Sequence, residues 1–186
     1  MENQTQSSMP ENTENMSPVR KNFLKRLWHG DAGELIRFAI IALAIIIPIR
    51  MLVAQPFIVS GTSMFPTFLN RDYLIVDEIS YKFKDPKRGD VIIFRYPNDT
   101  KKFFIKRIIG LPGESVQITD GKITIENTEH PNGFKLEEPY LQNVSSDNYP
   151  KRKLGDGEYF VMGDNRTASS DSRYWGTLKK DLIVGR

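Results

Sequence analysis

The hydrophobic and polar positions divide the chain into three stretches of different periodicity. In the first 18 residues, twelve are Asn, Gln, Ser, Thr or Pro, and the other six are Met or Glu. Such a stretch buries too little apolar surface to offset the entropy lost on ordering, so residues 1–34 are predicted to be a disordered tail. Basic and apolar side chains are interleaved at residues 20–28, which fits either an amphipathic helix on an anionic membrane or a solvated segment.

The second stretch, residues 35–55, is apolar apart from Arg37, Arg50 and the final Gln55. Its uncharged centre has only 12 residues, whereas a membrane-spanning helix needs about 20. Both arginines lie toward the ends, where long side chains reach the lipid headgroups. Five basic residues occur between residues 20 and 37, whereas the first one after Arg50 is Arg71. This asymmetry predicts a single transmembrane helix with a cytoplasmic N-terminus; a cleaved signal segment and a buried core helix are the alternatives.

The third stretch, residues 56–186, has the short apolar and β-branched runs that are typical of β-strands, separated by Gly and Pro. These runs lie at 57–59, 73–76, 91–96, 103–109, 115–118, 122–125 and 159–162. Asp120-Gly121 between two of the runs indicates a hairpin. The polar residues 127–153 include three prolines and predict a loop-rich insertion. Residues 56–186 are therefore predicted to form a mainly β domain outside the membrane.

Composition narrows the chemistry that this domain can perform. The 186 residues carry a net charge of +3, which is too small an excess to indicate a nucleic-acid surface. The absence of cysteine excludes disulfides, thiol nucleophiles and zinc sites that need Cys. The two histidines disfavour a His-based metal site as well. We therefore expect no metal, no other cofactor and no nucleic acid.

A serine nucleophile needs a base, and the chain offers few. His29 lies in the tail and His130 in a cluster of turn residues, so a histidine triad is disfavoured. A lysine can replace histidine if burial keeps its amine neutral. Lys106 fits best, because it lies inside the apolar run 103–109. An edge-strand lysine that discourages aggregation is the alternative reading of this position.

Two further clusters carry hydroxyl and charged groups. Ser63 follows a predicted strand and a glycine and precedes Met64-Phe65-Pro66, so a rigid turn could expose its hydroxyl. The cluster at residues 163–173 combines Asp171 and Arg173, a possible ion pair, with several hydroxyls. A Ser-rich turn and a well-capped surface loop are the corresponding alternatives.

Taken in order, these stretches resemble the bacterial type I signal peptidases (leader peptidases) over roughly residues 57–176. The matching motifs are Ser63-Met64-Phe65-Pro66-Thr67, Arg71-Asp72-Tyr73-Leu74-Ile75-Val76, Gly89-Asp90-Val91-Ile92-Ile93-Phe94, residues 105–114 (IKRIIGLPGE), and Gly163-Asp164-Asn165-Arg166 through Ser169, Asp171 and Arg173. The resemblance implies an antiparallel signal-peptidase-like fold, a partly open barrel or sandwich. It also implies a membrane-bound serine endopeptidase that acts on signal-peptide-bearing preproteins at the outer face of the cytoplasmic membrane.

The resemblance also implies roles for individual residues. Ser63 would be the nucleophile and Lys106 the general base, with Ser169 orienting the lysine. Asp171 and Arg173 would hold the loop in place, and the backbone N–H of Ser63 would donate to the oxyanion. Some members add a serine hydroxyl to the oxyanion hole at the position of Gly61, so backbone donors are expected to dominate here. The substrate pocket for small residues at positions −1 and −3 would be lined by Phe57, Val59, Met64, Phe68, Phe104 and Ile105.

Two other functions are compatible with parts of the sequence. A self-cleaving Ser-Lys repressor-type protease has a similar β-domain, but it needs a helix-turn-helix that this N-terminus does not offer. A non-catalytic, membrane-anchored β-domain that binds a peptide or a protein is the alternative from another class. It predicts that Ser63 and Lys106 can be replaced without loss of function.

Overall fold

The first helix covers most of the predicted membrane segment. The structure, a computed structural model, describes residues 31–52 and 54–186, so the predicted tail lies outside the described residues apart from its last four positions. The chain divides into two units, residues 1–47 and 48–186. Helix α1 (Asp31–Leu52) exposes its apolar side chains, and Leu35, Phe38 and Ile41 are each more than half exposed. In the described part of the chain, no helix is both long and apolar enough to cross a bilayer, so the predicted span is not confirmed.

The regular structure of the second unit is mainly β-strand, and the strands pair antiparallel throughout. The elements are β1 (Ala54–Ile58), β2 (Tyr73–Asp77), α2 (Ser80–Phe83), β3 (Val91–Tyr96), β4 (Asp99–Gly110), β5 (Ser115–Thr119), β6 (Lys122–Glu126), β7 (Phe134–Lys135), β8 (Tyr149–Lys153), β9 (Glu158–Met162), a 3-10 turn (Arg166–Ala168), α3 (Ser172–Trp175), β10 (Leu178–Lys179), a second 3-10 turn (Lys180–Leu182) and β11 (Ile183–Gly185). They form three sheets with the orders β1-β2, β10-β9-β4-β3-β11 and β7-β6-β5-β8. The predicted mainly β, antiparallel class is confirmed.

Strand β4 lies at the centre of the domain because both of its faces are covered. Ile108 packs in one core cluster with Phe94 of β3 and Val161 of β9. Its neighbour Ile109 points to the opposite face and packs in a second cluster with Val116 of β5. A strand segment that is buried on both faces is largely apolar, as residues 104–109 are apart from Lys106 and Arg107. Any polar side chain in this part of β4 is therefore forced into an apolar setting.

The hairpin between β5 and β6 forms at the predicted Asp120-Gly121. Both residues have positive φ, 49° for Asp120 and 74° for Gly121, as a two-residue hairpin turn with matching twist requires. Thr119 and Lys122 are the last paired residues on either side of the turn. The local sequence alone therefore sets this register.

The stretch predicted to be a loop-rich insertion, residues 127–153, contains two strands. Strand β8 pairs with β5, and the two-residue β7 pairs with β6. Four of the five residues of β8 are exposed, so its sequence, Tyr-Pro-Lys-Arg-Lys, has no apolar alternation that would reveal it. An edge strand of this kind is held by backbone hydrogen bonds rather than by side-chain burial.

Candidate active site

The predicted nucleophile and the predicted base lie in direct contact. Lys106 is on β4, on the face it shares with Ile108, and is only 4% exposed. Its Nζ donates to Ser63 Oγ at 2.7 Å and to the carbonyl oxygen of Ile105 at 2.8 Å. Ser63 lies in the turn that follows β1, whereas Lys106 lies on β4. Their contact therefore depends on the packing of this turn against β4. The arrangement brings a hydroxyl within proton-transfer distance of an amine.

The turn that carries Ser63 is fixed at both of its ends. The N–H of Arg71 donates to the carbonyl of Val59 at 2.8 Å, and the N–H of Gly61 donates to Asn70 Oδ1 at 2.9 Å. Gly61 has a φ of 102°, a conformation that favours glycine at this position. The carbonyl of Ser63 accepts from the N–H of Asn165 at 3.0 Å, which connects the turn to the loop at residues 163–173. The hydroxyl is therefore presented from a constrained backbone.

The protonation of Lys106 is governed by its burial. Burial lowers the pKa of Lys106 to about 8 from its ordinary 10.5, while the nearby Asp171 and Asp164 carboxylates limit the shift by favouring the charged amine. The ring of Phe104, 5.4 Å from Nζ, forms part of the apolar surroundings. A lysine with this pKa is neutral in a large fraction of molecules at mildly alkaline pH. In that state it can accept the proton of Ser63.

The predicted ion pair between Asp171 and Arg173 is present and closes the loop at residues 163–173. Arg173 binds the Asp171 carboxylate through Nε and Nη2, both at 2.8 Å. Asp171 is completely buried and also accepts from the N–H of Gly163 at 3.1 Å. Arg173 Nη2 donates further to the carbonyl of Arg166 at 2.8 Å. The pair thus fixes both ends of the loop that faces Ser63.

Ser169 lies in this loop but does not make the contact that its expected role requires. It is buried, and its Oγ has no hydrogen-bond partner among the described residues, Lys106 included. It packs against Gly163, where a Cβ atom would lie 2.3 Å from Ser169 Oγ. An orienting role for this hydroxyl stays a prediction, since the described contacts of Lys106 Nζ are with Ser63 and Ile105.

A second buried ion pair lies beside the first and was not predicted. Arg107 binds Asp164 through Nε at 2.9 Å and Nη2 at 2.6 Å, and Thr67 Oγ1 donates to the same carboxylate at 2.5 Å. The pair joins three segments: the turn after Ser63, strand β4 and the 163–173 loop. The signal available in the sequence was an arginine inside an apolar run, directly after Lys106. Its partner, Asp164, is 57 residues away. The sequence does not indicate which of several carboxylates Arg107 binds.

A groove of about 480 Å³ opens beside Ser63, between residues 57–63 on one side and 102–106 on the other. Four of the six predicted pocket residues line it: Phe57, Val59, Phe104 and Ile105. Leu74, Ile93, Phe103, Ala168 and Ser170 line it as well and were not predicted. Its walls are therefore largely apolar near the serine.

The other two predicted pocket residues, Met64 and Phe68, are not among the residues that line this groove. Met64 is only 1% exposed and packs inside the domain. The N–H of Phe68 donates to the carbonyl of Met64 at 3.0 Å. A role for these two side chains in binding residues −1 and −3 stays a prediction from the family resemblance.

The groove runs between two strand edges. Residues 99–107 of β4 pair with β3, whereas pairing with β9 begins only at Arg107. Strand β1 pairs with β2 alone in the described part of the chain. Unpaired backbone donors and acceptors of two strands therefore face the same space. Among the described residues, no three His, Asp or Glu side chains lie close enough together to hold a metal ion.

The chain is similar to known proteins over most of its length. The family model described as signal peptidase, peptidase S26, matches residues 32–186. A probable signal peptidase I-2 from Synechocystis sp. is 38% identical over 159 residues, covering 82% of this chain and 70% of that protein. A signal peptidase I from Leptolyngbya laminosa is 41% identical over 146 residues, covering 74% and 68%. A crystal structure of a signal peptidase I from Enterococcus faecalis V583 is 38% identical, with a TM-score of 0.45, and covers 55% of this chain and 96% of that chain.

Proposed function

Since the chain belongs to the signal peptidase family, peptidase S26, we propose that it cleaves signal peptides from exported preproteins with Ser63 as nucleophile and Lys106 as general base. Members of this family are serine peptidases, and the chain is accordingly a hydrolase that processes signal peptides. The observation that carries the assignment of the two residues is the 2.7 Å contact between Lys106 Nζ and Ser63 Oγ in an apolar setting.

The proposed reaction begins with proton transfer from Ser63 to the neutral amine of Lys106. As the proton leaves, Oγ attacks the carbonyl carbon of residue −1 of the precursor and forms a tetrahedral intermediate. The Lys106 ammonium then donates its proton to the departing amine of the mature protein, which leaves an acyl-enzyme. Water, deprotonated by the same amine, releases the signal peptide and restores Ser63.

The negative oxygen of each intermediate needs a hydrogen-bond donor, and the backbone supplies it in this proposal. Gly61, two residues before the nucleophile, has no side chain that could donate. We assign the role to the backbone N–H of Ser63, which comes from the constrained turn described above. A single donor of this kind contributes about 3–4 kcal/mol to transition-state stabilisation in other hydrolases.

The groove supports binding of the precursor as an extended peptide. Two strand edges with unpaired backbone groups flank it, and a peptide strand can hydrogen-bond to such edges. Alternate side chains of an extended peptide point the same way, so residues −1 and −3 face the same wall. Phe57, Val59 and Phe104 line the groove, and we assign to them the selection of small side chains at these two positions.

Cleavage of a precursor with an Ala-x-Ala site, followed over a range of pH, tests this function. We expect the new N-terminus to follow the second Ala. The rate is expected to rise with pH and level off above about 8, because burial lowers the pKa of Lys106 to about 8 and only the neutral amine accepts a proton. At pH 7 the rate should be roughly a tenth of its plateau.

The matched control is the same precursor with Leu in place of the Ala at position −1, which should be cleaved poorly at every pH. A rate that stays flat from pH 6 to 9, with the protein folded throughout, contradicts the role of Lys106. Equal cleavage of both precursors contradicts the proposed fit of position −1.

The proposal includes a membrane anchor at residues 35–55, with the N-terminus in the cytoplasm and the catalytic domain at the outer face of the cytoplasmic membrane. The exposed apolar side chains of α1 support this attachment, because lipid would cover them. We expect the full chain to stay in the membrane pellet after extraction at alkaline pH. Protease added outside spheroplasts should digest residues 56–186. Release of the chain into the supernatant, or protection of the domain, contradicts the anchor or its orientation.

A further inference from the structure

The side chains of Glu138 and Tyr140, from the polar stretch between β7 and β8, contact residues that pack against the proposed active site. The carboxylate of Glu138 faces the guanidinium of Arg166, accepting from Nη1 at 2.9 Å and from Nη2. Both side chains are buried, with 8% of Glu138 and 2% of Arg166 exposed. A two-point contact of this kind fixes the orientation of the guanidinium as well as its position.

Arg166, oriented in this way, also binds the backbone beside Ser63. Its Nε donates to the carbonyl of Gly163 at 3.1 Å. Gly163 lies directly against the nucleophile, because a Cβ atom placed on it would be 2.4 Å from the Ser63 carbonyl oxygen. Glu138 is therefore three contacts away from Ser63, through Arg166 and Gly163.

Tyr140 connects this ion pair to the second one, between Arg107 and Asp164. Its hydroxyl donates to Glu138 Oε1 at 2.8 Å, and its ring lies 4.0 Å from the guanidinium of Arg107. Burial and then the Glu138 carboxylate raise the pKa of Tyr140, so its hydroxyl stays protonated over the pH range in which Lys106 titrates. One side chain thus contacts both buried ion pairs.

We propose that Glu138 and Tyr140 are positioning residues for the Ser63–Lys106 pair, a role that rests on the proposed function. Through Arg166 and Gly163 they fix the backbone beside Ser63, and through Arg107 they fix β4 next to Lys106. Neither residue lines the groove, so they act through their neighbours rather than on the precursor. A displacement of about 1 Å between reacting groups lowers a rate by about 100-fold.

A purely structural role makes a different prediction. Removing one partner of a buried ion pair destabilises the fold, because the other charge is left buried without a partner. If Glu138 and Tyr140 only stabilise the fold, replacing either residue should lower the melting temperature and leave kcat of the folded molecules unchanged. A positioning contact should lower kcat in molecules that are folded, with a smaller effect on KM.

The variants that separate these roles are Glu138→Gln, Tyr140→Phe and Tyr140→Leu, made in the full chain. Glu137→Gln is the matched control, since it makes the same chemical change at the adjacent, exposed residue. On the Ala-x-Ala precursor, we expect Glu138→Gln and Tyr140→Leu to lower kcat by about 10- to 100-fold with KM changed less than threefold. Tyr140→Phe keeps the ring beside Arg107 and should lie between Tyr140→Leu and wild type.

The inference is overturned if folded Glu138→Gln and Tyr140→Leu have kcat values within twofold of Glu137→Gln while wild type cleaves normally. If Glu138→Gln does not fold, Tyr140→Phe decides, because it removes one hydroxyl and leaves the packing intact: an unchanged kcat overturns the inference, and a lowered kcat at unchanged KM supports it. Failure of both wild type and Glu137→Gln to cleave the precursor overturns the proposed function and this inference with it.

Discussion

Replacing Lys106 with methionine, or Ser63 with alanine, should lower kcat for precursor cleavage by at least about 10⁴-fold, because nucleophile and base act as one unit. Methionine fills a volume close to that of lysine but has no amine, so the variant removes the contact with Ser63 Oγ and keeps the packing against Phe104. The double variant should be no less active than either single variant, since each substitution already disables the pair. Single-turnover kinetics on the Ala-x-Ala precursor measure all three.

The stability of the methionine variant is the control for this result. The pKa of Lys106 is about 8 in the folded protein and returns to its ordinary 10.5 on unfolding. The unfolded chain therefore binds the proton more tightly, and charging the buried amine costs up to about 3 kcal/mol of folding free energy below pH 8. Lys106→Met should be at least as stable as wild type at pH 7, with an advantage that fades between pH 8 and 10.5. A folded variant that keeps more than a tenth of the activity contradicts the assignment of the base.

Adding a single methyl group at Gly163 should lower kcat by about 100-fold or more. The Cβ of alanine would lie 2.3 Å from Ser169 Oγ and 2.4 Å from the carbonyl oxygen of Ser63. The Ser169 hydroxyl can rotate, but the Cβ of Ser169, at 2.6 Å, and the Ser63 carbonyl are fixed to the backbone. The turn that carries the nucleophile and the loop that carries Ser169 must therefore move, which shifts Ser63 relative to Lys106. A shift of about 1 Å is enough for a loss of this size, and overpacking should also lower the free energy of unfolding by about 1–3 kcal/mol. Steady-state kinetics and denaturant titration measure the two effects.

Gly155→Ala is the matched control for Gly163→Ala. Its Cβ would meet only the side chain of Glu158, at 3.3 Å, which can rotate away. Both activity and stability should stay close to wild type. If Gly163→Ala behaves like this control, the loop at residues 163–173 does not determine the position of Ser63.

The strands were predictable from the sequence wherever burial of their side chains requires apolar residues. Strand β3 is apolar because its side chains Ile92, Ile93 and Phe94 are buried, and its bounds, Val91–Tyr96, match the predicted run. Strand β8 has no such apolar pattern, because most of its side chains face solvent and only its backbone pairs with β5. Backbone pairing has no residue requirement beyond a free N–H and carbonyl. A polar edge strand is therefore read as a loop from sequence.

The candidate site was predictable in its residue types but not in all of its contacts. Lys106 was singled out because an amine inside an apolar run must be buried, and the structure buries it. Met64 was assigned to the substrate pocket by the family resemblance, and the structure adds that its side chain is only 1% exposed. The partners of Arg107 and Arg166 were missed, because several carboxylates were available to each guanidinium.

By itself, the sequence determined which groups are available: one serine on a rigid turn, one lysine in an apolar strand, no cysteine and hardly any imidazole. These features can be recognised in the sequence because they depend on local chemistry and on burial. The hairpin at Asp120-Gly121 was predictable for the same reason. Only the tertiary structure decided that Lys106 reaches Ser63, that its pKa falls to about 8 and that Tyr140 contacts two ion pairs. Each of these depends on distances between segments far apart in the chain, and desolvation and pairing energies vary steeply with those distances.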